Sequence, residues 1–397
     1  MTSNPEQSHA ISSFSLLLFL ALCTFCYLSP LEPPRYPESS ARPILALDIP
    51  VPGCSNASYE LTLPREKACI LILAGNQDDV GLKSSLESFE RMFNAQFRYP
   101  YVLLSDTQIT DEFLTSIKEI LHPDAVVESG LISHEQGWGV PDWMDSEAVQ
   151  EALKMQKKQG VQHGGEESYH NTYRFYSGPF AVHPLLAKYE WYWRLESDVG
   201  FFCKLNYDPF RFMATNSKVY GFNIAMVEQE NTIPTLFETV SAYRDNLIST
   251  GAIKPNSYWS MFEADGRGKH GDGGKPLKNG NSGYNLCQYW TNFEIGSLNF
   301  FRSKQYQELF HHLDQTGNFY FERWGDASIR SLALGLFTNF TQTHYFEDIA
   351  YTHHSWMYCP TRGGIGCDCS CPPKVKNIAL DESKSCLSRW QDINRAL

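Results

Sequence analysis

The bulk of this 397-residue chain is predicted to form an α/β fold, and three observations predict it. A continuous apolar run, Ala68-Cys-Ile-Leu-Ile-Leu-Ala74, ends in Gly75-Asn76 and the acids Asp78 and Asp79. A run of that length closed by turn residues reads as a strand buried on both faces. Leu82, Leu86, Phe89 and Phe93 then recur at helical spacing, and Tyr101-Val-Leu-Leu104 is a second apolar strand that stops at Ser105-Asp106. Strand, helix and strand within about 40 residues make a βαβ unit, and a parallel sheet follows from it.

Composition sets the outer limits. With 42% hydrophobic and 14% aromatic residues, the chain has enough apolar surface for a large core. A formal charge of −12 argues against nucleic acid as a partner, and any phosphate must be held by a local device such as a metal ion or a few placed cations.

The elements follow in chain order. Residues 1–10 read as a short cytoplasmic tail. Ile11 to Leu28 carries no charge over 18 positions, roughly 27 Å of helix, enough to span a bilayer as a signal-anchor; a cleaved signal peptide is the alternative. Residues 29–60 are rich in proline and read as an extended stem. Residues 61–397 are then a lumenal catalytic domain. Asn56-Ala-Ser58 and Asn339-Phe-Thr341 are glycosylation triplets consistent with that placement. Of the nine cysteines beyond the apolar run, five crowd into the last 39 residues, and disulfides are expected there, with a zinc or thiol cluster at Cys367-Asp-Cys369-Ser-Cys371 as the rival. An odd count leaves at least one unpaired.

Within the domain, Ser146 to Lys158 reads as a helix. Tyr189 to Leu195 reads as an aromatic strand running into Glu196-Ser-Asp198. Val219 to Val227 reads as one strand closed by Glu228 and Glu230, and Tyr345 to Tyr351 as another that leads into His353 and His354. Asp265 to Gly283 is a loop rich in Gly, Lys and Asn.

Ligands of open α/β sheets sit beyond the carboxyl ends of the strands, which makes Gly75 to Asp79, including Asn76, and Ser105-Asp106 candidate nucleotide-edge loops. Two carboxylates flanking one residue at such an end, Glu196 and Asp198, suit a hard divalent cation held against a diphosphate. Glu294, after the aromatic Tyr289-Trp290, is a candidate nucleophile or charge stabiliser, with pairing to Arg302 or Arg323 as the alternative. Asp326 stands in Glu322-Arg-Trp-Gly-Asp326, and an imidazole such as His353 completes a mixed oxygen and nitrogen site of the kind Mn²⁺ accepts.

These residues sit in longer motifs: Ser168-Tyr-His-Asn-Thr-Tyr-Arg-Phe-Tyr-Ser-Gly178, Tyr189-Glu-Trp-Tyr-Trp-Arg-Leu-Glu-Ser-Asp-Val199, Thr232-Ile-Pro-Thr-Leu236, Tyr284-Asn-Leu-Cys-Gln-Tyr-Trp-Thr-Asn-Phe-Glu-Ile295, Phe321-Glu-Arg-Trp-Gly-Asp-Ala327 and His344-Tyr-Phe-Glu-Asp-Ile349. In this order, over roughly residues 60 to 360, the chain resembles the fungal alpha-1,2-mannosyltransferase family. The resemblance implies a GT-A-like fold, with a mixed central sheet flanked by helices, and a type II Golgi membrane enzyme. It implies transfer of mannose from GDP-mannose to mannose of O- or N-linked glycans, with retained configuration and Mn²⁺ as cofactor. By the same resemblance Glu196, Asp198 and His353 are metal ligands. Glu294 and Tyr169 are catalytic residues and Asp326 a supporting one, while Glu228 and Glu230 face the acceptor or the nucleotide. The expected donor-binding set is Asn76, Asp106, Arg174, Glu196, Asp198 and Glu228. The chain departs from the family pattern at Gly75 (usually Arg), Ser197 (usually Pro) and Gln288 (usually His). Those departures keep open a second reading, a catalytically degenerate member that binds mannosides or escorts active relatives.

Overall fold

The apolar runs become the middle of a mixed sheet. In the computed structural model Cys54 and residues 57–77, 79–264, 283–360, 365–373 and 375–396 are described. The tail and anchor, most of the stem, Asn56, Asp78 and residues 265–282 lie outside them. Among the described residues no helix is long and apolar enough to cross a membrane.

The strands are β1 (Ala68–Leu73), β2 (Tyr101–Ser105), β3 (Val127–Leu131), β4 (Trp191–Arg194), β5 (Val199–Phe201), β6 (Tyr220–Phe222), β7 (Ala225–Val227), β8 (Cys287–Tyr289), β9 (Glu294–Ser297), β10 (Thr343–Tyr345), β11 (Tyr351–His353), β12 (Trp356–Tyr358) and β13 (Lys376–Asn377). The main sheet has the order β10-β6-β9-β4-β1-β2-β3. β1 is parallel to β2 and β4, β2 to β3, and β10 to β6, while β9 runs against both β4 and β6. The βαβ unit is therefore as read, and the sheet is mixed because of one reversed strand. A second sheet, β13-β12-β11-β5, and the ladder β7-β8 complete the set.

Five helices bear on the site: α1 (Asp79–Phe89), α2 (Ser146–Lys158), α3 (Glu167–Ser177), α4 (Lys304–Asp314) and α5 (Asp326–Phe337). α2 has the bounds the sequence gives it: Asp145 caps it by accepting from the amides of Glu147 and Ala148, and Lys157 and Lys158 close it at the negative end of the dipole. α1 passes into a π turn, Glu90–Asn94, before Phe93 completes its apolar row.

β4 is the organising strand, and its four residues Trp-Tyr-Trp-Arg are all buried. Side chains alternate across a strand, so Trp193 faces one way and Tyr192 and Arg194 the other. Trp193 meets Phe89 of α1 edge-on at 4.9 Å and Phe293 at 5.4 Å, pairings worth about 0.5–1.5 kcal/mol each beyond burial. On the opposite face Tyr192 and Arg194 meet α5. Gly296, opposite Tyr192, has to be glycine: a Cβ there would stand 2.8 Å from the Tyr192 ring and 2.9 Å from Phe301.

Two expected strands divide. Val219 to Val227 becomes β6 and β7, separated at Asn223, whose amide donates to the carbonyls of Phe346 and Ile349 at 2.8 Å each. That side chain, invisible to a hydrophobicity pattern, turns the chain from one sheet to another. Tyr345 to Tyr351 becomes the ends of β10 and β11 joined by a turn.

The cysteines are disulfides: Cys54–Cys367, Cys203–Cys369, Cys287–Cys386 and Cys359–Cys371, with Cys69 buried and unpaired. The zinc alternative is excluded because its thiols are spent on these bonds. Asn339 is exposed at the N-cap of a short 3-10 turn.

Candidate active site

β4 ends at Arg194, and Glu196-Ser197-Asp198 turns the chain into β5. Asp198 adopts φ 59°, a left-handed conformation open to Asp and Asn, so the bend is made at Asp198 and survives Ser197. The turn lies against the start of α1: the Asp198 amide donates to the Gly81 carbonyl at 3.3 Å, and a Cβ on Gly81 would stand 2.6 Å from the Asp198 carboxylate. β11 pairs with β5 in a register that puts His353 opposite Val199, one residue past Asp198. The acidic turn and a histidine distant from it in sequence are thus brought side by side.

Their electrostatics agree. Burial lowers the His353 imidazole to about 4, against the pull of Glu196, so it is neutral near pH 7 as a ligand must be. Burial raises the Glu196 carboxyl, but Arg194 and then His353 outweigh it and the net shift is downward. The Asn292 amide lies on His353 Nδ1, and Asn292 Oδ1 is otherwise buried without a partner. With Asn292 Nδ2 donating to it, Nδ1 is the acceptor, and the contact fixes the orientation of the ring beside the acidic turn. The donor set fits a hard divalent ion that tolerates nitrogen. It is not closed, since among the described residues the one group of three such side chains within 4.8 Å is Cys54, Cys367 and Asp368, two of which form a disulfide.

Behind this rim runs a chain of alternating charge. Glu196 pairs with Arg194, and Arg194 Nη1 donates to Asp326 at 2.6 Å. Arg330 Nε lies 3.7 Å from Asp326, and Arg330 Nη1 pairs with Glu294. Tyr192 and Tyr220 donate to the two Glu294 oxygens at 2.9 Å each. Asp326 and Arg330 are four apart on α5 and so share a face. Arg194 stacks on the Tyr176 ring at 3.7 Å, and Arg330 lies over Phe180 at 4.5 Å. Burial raises the Asp326 carboxyl despite Arg194.

This geometry corrects several expectations. Glu294 is 0% exposed, with both oxygens occupied, and it pairs with Arg330, not Arg302 or Arg323. Arg174, expected to face the nucleotide, has its guanidinium occupied: it clamps Asp314 through two bonds of 2.7 and 2.9 Å and donates to the Gly137 carbonyl, joining α3 to α4. Asn76 stands at the end of β1 but spends its amide on the neighbouring loop, donating to Gln108 and accepting from Thr110. Asp106 is exposed at the end of β2, as expected.

Tyr169 is 37% exposed and stacked on His163 at 3.8 Å; burial and then the charges of Glu166 and Glu196 raise its phenol. Glu228 follows β7, accepting from Gln288 at 3.1 Å and pairing with Arg323 at 3.5 Å. Gln288, in place of the usual His, accepts from Ser328 at 2.8 Å and so ties α5 to Glu228. Glu230 Oε1 and Arg323 Nε are buried without partners. Arg194 and Arg330 escaped the sequence reading; the i, i+4 spacing of Asp326 and Arg330 was the available signal for one of them.

A mixed sheet with an acidic turn after its central strand and a histidine brought beside that turn defines a GT-A-like glycosyltransferase. The chain belongs to the glycolipid 2-alpha-mannosyltransferase family, which residues 40–395 match. It is 38% identical over 371 residues to the O-glycoside alpha-1,2-mannosyltransferase homolog 4 of Schizosaccharomyces pombe, covering 86% of this chain and 81% of that one. Its structure is similar to that of the mannosyltransferase Ktr4p of Saccharomyces cerevisiae in complex with GDP, with a TM-score of 0.73, 37% identity and coverage of 83% and 82%. Core-mannan synthase A of Aspergillus fumigatus in its Mn/GDP form gives 0.74, 31% identity and coverage of 85% and 89%.

Proposed function

We infer that this chain is a retaining α-1,2-mannosyltransferase that moves mannose from GDP-mannose to mannose residues of O- or N-linked glycans, with Mn²⁺ as cofactor. The observation that carries the reading is the acidic turn Glu196-Ser197-Asp198 beside His353, in a chain whose structural relatives hold GDP, one of them with Mn. Glu196, Asp198 and His353 would hold the ion, which when bound neutralises charge on the departing diphosphate. Glu228 with its partner Arg323, and Tyr169, would orient the sugars.

In the transfer the bond from mannose C1 to the β-phosphate oxygen breaks and GDP takes the electron pair. A bond from C1 to the acceptor O2 forms, and the hydroxyl proton passes to the departing phosphate oxygen. The enclosure of Glu294 favours this same-face route, which keeps the α configuration without a covalent sugar-enzyme bond. The four disulfides and the apolar segment 11–28 support a type II protein of the Golgi membrane with its catalytic domain lumenal.

Calorimetric titration of GDP with Mn²⁺ and with EDTA tests the site. The expected result is Mn²⁺-dependent binding that His353→Ala abolishes and Asn292→Ala weakens about tenfold, the effect of removing a ligand's hydrogen-bonding partner. Metal-independent binding unaffected by either change would exclude this site.

A further inference from the structure

Glu294, Arg330, Asp326 and Arg194 form an unbroken row of ionic contacts from the fully buried centre of the domain to Glu196 at the rim. The signs alternate along the row, minus, plus, minus, plus, minus, so each inner group is neutralised by its neighbours. Arg330 is held at both terminal nitrogens: Glu294 and the Tyr192 hydroxyl take Nη1, the Tyr176 carbonyl takes Nη2, and the Phe180 and Phe301 rings cover it at 4.5 and 4.9 Å, while Nε makes only the ionic contact with Asp326. The four buried charges of the row, from Glu294 to Arg194, are costly unless each is paired, so the position of any one depends on the next.

From this geometry we propose that Glu294 and Arg330 are positioning residues. They fix Asp326, which fixes the Arg194 guanidinium, which sets how Glu196 is presented to the metal and diphosphate. The inference rests on the metal-site reading given above. It assigns Glu294 a role through other side chains and assigns Arg330 a role in the reaction.

The row makes a prediction that a nucleophile does not. Removing the Glu294 charge leaves Asp326 as the counter-charge Arg330 shares with Arg194, so the two compete for it and Glu196 is disturbed. Removing the Arg330 charge as well relieves that competition.

The test compares wild type, Glu294→Gln and the double variant Glu294→Gln/Arg330→Met. Each is assayed for turnover with GDP-mannose and an α-mannoside, and for GDP affinity with Mn²⁺. Glu294→Gln is expected to lose about tenfold in Mn²⁺-dependent GDP affinity as well as turnover, and the double variant to recover both to within a few fold of wild type. Glu294→Gln with unchanged GDP affinity and no turnover, unrelieved by Arg330→Met, would overturn the proposal and make Glu294 a direct reactant. Should the double variant not fold, Asp326→Asn decides by the same titration: unchanged Mn²⁺-dependent affinity contradicts a row that acts through Asp326. A wild-type protein that binds GDP with Mn²⁺ but transfers no mannose refutes the functional reading and leaves the affinity comparison to judge the row.

Discussion

Asp348 lies in the turn between β10 and β11, hydrogen-bonded to Tyr207, and burial raises its carboxyl to about 6. An acid whose folded-state value exceeds its ordinary value of 3.8 is more easily protonated when folded. The folded protein therefore holds the extra proton between pH 4 and 6, and this residue's contribution to stability falls as pH rises through that window, by at most about 3 kcal/mol. Asp348→Asn keeps an oxygen for Tyr207 and removes the ionisation. The variant should melt higher than wild type at pH 7.5 and lose that advantage at pH 4. A difference in melting temperature that does not change with pH would contradict the assignment. The same arithmetic of burial against pairing explains the rim, where Glu196 ionises readily because Arg194 is beside it.

At the scale of elements, α3 and α4 are joined by the Arg174–Asp314 clamp, well shielded from solvent. Arg174→Met leaves Asp314 without its partner and should cost about 3–5 kcal/mol of unfolding free energy, with GDP affinity unchanged. Urea unfolding and a GDP titration check both halves, and a loss of affinity without a loss of stability would return Arg174 to the nucleotide site. The misreading has a physical source. An arginine in a motif rich in site residues looks like a phosphate ligand, but the partner that claims it, Asp314, is 140 residues away and carries no local signal. Periodicity revealed β1, β2, β4 and α2 because buried strands and amphipathic helices write their environment into consecutive residues. It missed the break at Asn223, which depends on two carbonyls more than 120 residues distant. Glu196, Asp198 and His353 were legible through their motifs, whereas the enclosure of Glu294 depends on α5 packing over β4, β6 and β9.

Across the whole molecule, the disulfides close loops of very different length. Cys54–Cys367 links residues 313 apart, and Cys287–Cys386 ties β8 to the C-terminal segment. Through β8, and Gln288 within it, the latter bond also bears on the placement of Glu228. Loss of a native disulfide typically costs about 2–5 kcal/mol, so reduction should lower the melting temperature markedly and weaken GDP binding before global unfolding. A melting temperature insensitive to reductant would show that the apolar core suffices alone. The central sheet and the row of charges behind Glu196 hold the end of β4 in place, and the proposed function is assigned to that place. The most direct test of that assignment is mannose transfer from GDP-mannose to an α-mannoside by the protein from Pro50 onward, which keeps Cys54, comparing Mn²⁺ with EDTA and determining the linkage formed. The account predicts an α-1,2 product that disappears with EDTA; tight GDP binding with no transfer under either condition would contradict it and favour a mannoside-binding or escort role.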